Sequence, residues 1–352
     1  MYSLNRKTAT LGDETMSMEI SVVDSHTAGE PTRTVSQGLP ELSGTNLKEK
    51  ALALEEHFPS LPSILTGEPR GHAAMHAVLP VAASVPEADV AFLFVSSLGM
   101  LEMCGHALIG GVTTLLETGA LAVQEPITCL KIETLSGLID VEAQVSDGHV
   151  VDVTFTNTLS WVLANDVNLE VPGIGDIRLD LVYGGLWYAV LDAKDLGLSL
   201  EIAQVPKLVA MSHTVRQVLN ATLPELVPTD HAPTRIPQLL YTDSSSHGER
   251  SGRNLATSTE LGFDRSPCGT GSSARMALLH NREQLALDET FLHESVLGTM
   301  FEGRLVAEHP APIGTGVIPT ITGSAHLTAF SDLFVDPTDP LGQGFFIPAA
   351  VG

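Results

Sequence analysis

The feature that most constrains this chain is a short pattern that occurs twice: a strand-like segment, a Cys-Gly pair, and then a helix of small residues. The first copy is Met103-Cys104-Gly105-His106-Ala107-Leu108-Ile109-Gly110, and apolar positions 108, 109, 112, 115 and 116 continue it at the helical period until Gly119. The second is Asp264-Arg265-Ser266-Pro267-Cys268-Gly269-Thr270-Gly271-Ser272-Ser273-Ala274, running on through Arg275-Met276-Ala277-Leu278. In both, Gly follows Cys directly and a tiny residue stands six positions after it. A helix N-terminus carries about half a positive charge and unpaired N–H donors, so it binds anions and favours thiolate over thiol. Two copies of one arrangement in 352 residues predict two similar halves rather than one ordinary core.

If the halves face each other, the two thiols point into one cleft from opposite sides. That is the geometry for taking a proton from one face of a carbon and returning one to the other. One sulfur then acts as thiolate and the other as thiol, and the helix termini are expected to bring both toward working pH. The same N–H groups can hold a carboxylate and the charge that develops on deprotonating its α-carbon. This chemistry asks for no cofactor and no metal, and no nucleotide-binding fingerprint is present.

Composition narrows the classes further. With 18 basic and 42 acidic residues the formal charge is −24, which argues against nucleic acid and anionic membranes as partners. Three cysteines, an odd number in a long chain, argue against a disulfide framework. Residues 1–16 read as a flexible leader without an apolar signal region, and no window approaches the roughly 18 apolar residues of a membrane span. A cytoplasmic, reducing location is expected.

Along the chain, a strand from Met18 to Asp24 is expected to run into a polar ligand-contacting loop, Ser25 to Arg33. A helix is read over 46–58 and a buried strand at Ala91-Phe92-Leu93-Phe94-Val95. Residues 127–157 carry hairpin signals with Asp147-Gly148 as a turn. A helix from Leu198 to Leu219 is expected to break or kink at Pro206, and residues 298–326 are strand-like. Cys129 is read as a small buried hydrophobe. His72 and His76 have metal-like spacing but no adjacent Glu, and the Cys104-Gly105-His106 triplet lacks a matching second knuckle, so no metal site is assigned. His26 and Arg33 are read as structural.

At Asp24-Ser25-His26-Thr27-Ala28-Gly29-Glu30-Pro31-Thr32-Arg33, Glu68-Pro69-Arg70-Gly71-His72, Met103 to His106, Gly184-Gly185 with Tyr188-Ala189, Asp264 to Gly271 and Ile321-Thr322-Gly323, the chain resembles the proline racemase family. That family includes proline racemases, 4-hydroxyproline 2-epimerases and trans-3-hydroxy-L-proline dehydratases. The resemblance implies an α/β (α+β) architecture of two pseudo-symmetric halves. Each is a mostly antiparallel barrel-like sheet around a central helix, as in diaminopimelate epimerase, with the site in the cleft between them. The halves are expected at 17–162 with 322–352, carrying the Cys104 helix, and at 163–321, carrying the Cys268 helix.

The resemblance also implies cofactor-independent two-base chemistry on a small amino acid. Cys104 and Cys268 would be the bases. His106 and Asp264 would sit near the substrate's ring nitrogen, and Gly105, Gly269 and Thr270 would hold its carboxylate. Members are commonly homodimers. The dehydratases that resemble this chain usually carry Thr at the second cysteine position, so Cys268 favours racemisation or epimerisation, with 4-hydroxyproline slightly ahead of proline. An isomerase of unsaturated carboxylates and a non-catalytic carboxylate binder are the remaining readings. The chain departs from the family pattern at Ser96 to Glu102, Ala74-Met75, Leu186-Trp187 and Ser272, which are expected to line or neighbour the pocket.

Overall fold

A computed structural model describes residues 18–97, 99–258 and 262–347; the leader expected at 1–16 and Leu98 lie outside the described residues. β1 (Met18–Thr27) pairs antiparallel with β2 (Glu30–Gln37). They are joined at Ala28 and Gly29, whose φ values of 50° and 100° are left-handed, the handedness that suits the twist of a hairpin. The stretch from Ser25 to Arg33, expected as a loop, is therefore strand on both sides of a tight turn. Gly29 serves the turn itself, and Pro31 falls just before Thr32, where pairing with the next strand begins.

Two successions of elements follow the same scheme. In the first, β2 leads through α1 (Leu47–His57) and α2 (Leu61–Thr66) to β3 (His76–Val81), which is parallel to β2. The side chain of Asn46 accepts the amide of Glu49 and caps α1. β4 (Val90–Ser96) turns back antiparallel and leads through the short β5 (Gly99–Leu101) to α3 (Gly105–Glu117). Then β6 (Ile127–Thr134) returns parallel to β4 and opens the meander of β7 (Gly137–Ser146) and β8 (His149–Thr156).

In the second, β9 (Trp161–Val171), β10 (Gly175–Tyr183) and β11 (Trp187–Asp192) are antiparallel neighbours. α4 (Val205–Leu226) crosses to β12 (Gln238–Ser244), parallel to β11, and β13 (Ser251–Thr257) turns back. α5 (Gly269–Asn281) then crosses to β14 (Thr290–Glu294), parallel to β13, followed by β15 (Met300–Pro310) and β16 (Thr315–Gly323). β17 (Ala325–Val335) returns to pair with β1, and β8 pairs with β16, so the two systems form one 17-stranded sheet. Each barrel-like half thus wraps one Cys-Gly helix: α3 sits between β4 and β6, α5 between β13 and β14.

The strand sequences show why. Where helices cover the sheet on both faces, as at β4, the strands are continuous apolar runs; where one face is open, as at β7, buried and exposed residues alternate. In β4, Phe92 and Phe94 point to α3, while Ala91, Leu93 and Val95 face α1 and α2. In the second half, Tyr188, Val190 and Leu240 join the core around α5, while Ala189, Leu191, Leu239 and Tyr241 face α4.

Pro206 does not break a helix. It stands in the first turn of α4, where its missing N–H costs nothing, and Leu198 to Gln204 precede the helix. Cys129 is exposed rather than buried, because β6 alternates and position 129 falls on its outward face. Among the described residues, no helix is long and apolar enough to cross a membrane.

Candidate active site

The two central helices meet N-terminus to N-terminus. Each begins at its cysteine: Cys104 caps α3 and Cys268 caps α5. The glycines that follow make the meeting close. A methyl group on Gly105 would lie 3.4 Å from the Gly269 Cα and 3.0 Å from the tip of the Phe155 ring. Both thiols are buried and face one cavity of about 120 Å³.

Cys268 has φ 66° and ψ 109°, a strained backbone for a residue with a side chain, costing about 1–3 kcal/mol. Its surroundings hold it there. The Ser266 hydroxyl accepts the Cys268 amide at 3.1 Å, and the Asn254 amide donates to the Pro267 carbonyl at 3.1 Å. On the far side of the sulfur, the Tyr188 hydroxyl stands 3.3 Å from Cys268 Sγ and 2.6 Å from Thr270 Oγ1. Cys104 Sγ lies 3.5 Å from His106 Nδ1, and the His106 ring meets His76 edge-on with centroids 4.5 Å apart. The Thr27 hydroxyl fixes the first turn of α3 by donating to the His106 carbonyl at 2.8 Å.

Two carboxylates line the same cavity, Glu30 buried and Asp264 half-buried. Asp264 accepts the Ser266 amide at 2.8 Å. Glu30, at the start of β2, accepts the Arg265 amide at 2.7 Å and so ties the first hairpin to the second cysteine loop. Burial raises both, Asp264 to about 6 and Glu30 well above the usual carboxylate range, with the negative charge of Asp264 adding to the effect on Glu30. His106 and His76 are pushed the other way, chiefly by burial, His76 to about 4, so both rings are neutral near pH 7.

The thiols differ from expectation. Burial pushes Cys268 up to about 12 and raises Cys104 as well, with Asp264 raising both. The amides of Gly271 and Ala107, each in the first turn of its helix, pull in the opposite direction, as do Tyr188 and Thr270 at Cys268. Desolvation outweighs the helix terminus because it acts on the whole charge, whereas the first-turn amides supply only a partial one.

All seven residues expected at the site line this cavity: Cys104, Gly105, His106, Asp264, Cys268, Gly269 and Thr270. Of the departures from the family pattern, Ala74, Ser96, Leu101 and Leu186 line it too. Trp187 does not; it packs against Trp161, with ring centroids 5.1 Å apart, in the α4 core. Arg33 is structural, making a two-pronged ion pair with Asp24 at 2.8 Å. Glu30, His76 and Tyr188 also line the cavity; none was expected there from its residue type or spacing, although Glu30 and Tyr188 stand inside the motifs quoted above. Only folding places them beside the cysteines.

The model of the family described as proline racemase matches residues 22–346. The chain belongs to the proline racemase family. It is 36% identical over 331 residues to a proline racemase of Clostridioides difficile, covering 94% of this chain and 99% of that one. It is 38% identical over 325 residues to a 4-hydroxyproline 2-epimerase of Streptosporangium roseum, covering 92% and 97%. Relatives so named are isomerases.

Among solved structures, a hydroxyproline epimerase from Agrobacterium vitis with bound trans-4-hydroxy-L-proline superposes with a TM-score of 0.84 at 30% identity, covering 95% of this chain and 97% of that one. A Bacillus anthracis protein of the PhzF family, at 14% identity and TM-score 0.56, shares the fold alone and covers 90% of this chain.

Proposed function

We propose that this isomerase inverts the α-carbon of 4-hydroxyproline, or of proline as the alternative substrate, without a cofactor. The observation that carries the proposal is the head-to-head meeting of two helices, each begun by a buried cysteine, over one small cavity. In the proposed mechanism one sulfur removes the α-proton and the other protonates the opposite face. The amides of Gly105, Gly269 and Thr270 receive the substrate carboxylate, where helix-terminal N–H groups favour the charge that grows as the α-carbon loses its proton. The cationic ring nitrogen lies toward Asp264, with neutral His106 beside it.

This placement also addresses the raised thiols. A bound cation beside Asp264 offsets the negative charge that adds to the effect of burial on Cys104 and Cys268, so substrate binding lowers the cost of forming the thiolate. Support for a hydroxylated substrate comes from the cavity wall. Ser96, Gln238 and Ser258 put polar groups among Ala73, Ala74, Leu101, Leu186 and Phe263.

The test is exchange of the α-hydrogen in D₂O with trans-4-hydroxy-L-proline, cis-4-hydroxy-D-proline and both proline enantiomers. The expected result is deuterium at Cα with inversion, fastest for the hydroxylated pair. Absence of exchange with all four would refute the reading. Cys104→Ser and Cys268→Ser are each expected to lower turnover by about 10³-fold or more, as loss of a general acid or base does. Release of water from 3-hydroxyproline by Cys268→Ser at undiminished rate would instead favour the dehydratase.

A further inference from the structure

We infer that His76, Cys104 and His106 form a reversible zinc site that shuts the enzyme off by taking its first cysteine. Zinc capture stands on the geometry alone, and only the inhibition rests on the function proposed above. One nitrogen of each histidine and the Cys104 sulfur all lie within 4.8 Å of one another. A tetrahedral ion with Zn–N near 2.0–2.1 Å and Zn–S near 2.3 Å needs an N–S edge of about 3.6 Å. The His106 nitrogens stand 3.5 and 3.9 Å from Cys104 Sγ, on either side of that value. Side-chain shifts of about 1 Å bring His76 to the same distance.

The outer shell suits a ligating histidine. His76 Nδ1 lies 3.2 Å from the Ala74 carbonyl, with the Glu30 carboxylate 4.0 Å away. A ring that donates Nδ1–H to a carbonyl presents the lone pair of Nε2, the arrangement that orients zinc-bound imidazoles. Two imidazoles and a thiolate form a borderline-soft donor set that prefers zinc to magnesium or calcium. Three protein ligands leave the fourth position open to water. As the Zn–S bond forms, the thiol proton leaves to solvent and no electron moves. Cys104 is then unable to accept a substrate proton.

The test uses the full-length protein after dialysis against chelator. Zn²⁺ is titrated in competition with a chromophoric chelator, and Co²⁺ is used as a spectroscopic substitute. One ion per chain is expected, with a near-ultraviolet sulfur-to-cobalt band and the visible bands of tetrahedral cobalt. Cys104→Ser should abolish the sulfur band, Cys268→Ser should keep it, and His76→Ala should weaken zinc binding at least tenfold. His76→Phe, which keeps an aromatic ring in place, should do the same and guards against a fold defect in the alanine variant. No stoichiometric binding at micromolar Zn²⁺, or a sulfur band lost in Cys268→Ser but kept in Cys104→Ser, would overturn the site. α-Hydrogen exchange should stop at one equivalent of Zn²⁺ and return on chelation; binding without loss of exchange in an active enzyme would overturn its inhibitory role. If no exchange occurs even without zinc, the proposed function fails while the binding and cobalt results still judge the site.

Discussion

The chemistry of single residues here is a contest between burial and partial charge. Asp264 is the sharpest case. Its pKa is raised to about 6, first by desolvation, so the folded state holds a proton more tightly than the unfolded one. A group shifted in this direction contributes fully below its unfolded pKa, and the contribution is lost as pH rises through the folded value. Stability is therefore expected to fall between about pH 4 and 6 and to carry a cost on the order of 3 kcal/mol at neutrality. Asp264→Asn removes the charge at nearly constant volume and should raise the urea midpoint at pH 7 while weakening substrate binding. A variant less stable than the parent at pH 7 would show that the carboxylate is a net structural asset. The thiols give a second prediction. Both are neutral near pH 7, so the supply of thiolate grows with pH, and kcat/KM for α-hydrogen exchange should climb from about pH 6 to 9. A profile falling over that range would mean that neither sulfur is the base in the free enzyme.

At the scale of elements, the site depends on where two helices are allowed to start. Gly184, just after β10, lies directly against α5. A Cβ there would come within 2.4 Å of the Thr270 carbonyl oxygen and 2.5 Å of the Ala274 amide nitrogen, both backbone atoms. Gly184→Ala must therefore displace the helix carrying Cys268. It should cost about 1–3 kcal/mol or more in stability and lower kcat beyond what the loss of folded protein explains. Gly105→Ala meets only the tip of the Phe155 ring at 3.0 Å and the Gly269 Cα at 3.4 Å, contacts that smaller movements relieve. It should be the milder of the two by thermal melting, and the reverse order would indicate that the helix junction yields more easily than the Gly184 contact. The elements themselves were largely legible. The α3 period, the 127–157 hairpins and the Asp147-Gly148 turn all occur as read. The errors lie at Gly and Pro, where one residue type serves opposite ends: Pro206 opens α4 rather than breaking it, and Gly29 tightens a hairpin rather than marking a loop.

For the whole molecule, charge is the dominant unpaired quantity. A formal −24 over 352 residues, from 42 acidic and 18 basic side chains, makes the surface strongly negative, and self-repulsion of that kind favours the expanded chain until salt screens it. Raising NaCl from 0.1 to 1 M is expected to increase the melting temperature by several degrees; a flat or falling curve would mean that the acidic groups are already locally compensated. The pseudo-symmetry belongs to this scale as well. A parallel crossover by a covering helix, an antiparallel return, and a second parallel crossover by the Cys-Gly helix occur in each half. The β8–β16 pairing and the Glu30–Arg265 contact hold the halves together.

The sequence alone determined the two helix starts, the small residues that let them approach, and the family to which such a pair belongs, because helix period, glycine placement and a doubled Cys-Gly motif are local signals. It also marked Cys104 and Cys268 as a pair. Only the tertiary structure decided that both thiols are protonated at rest, since desolvation depends on everything packed around a group. Only folding brought Glu30, His76 and Tyr188 to the cysteines from distant strands, and it turned Leu186, in the bend before β11, into the cavity while sending its neighbour Trp187, the first residue of β11, against the α4 core.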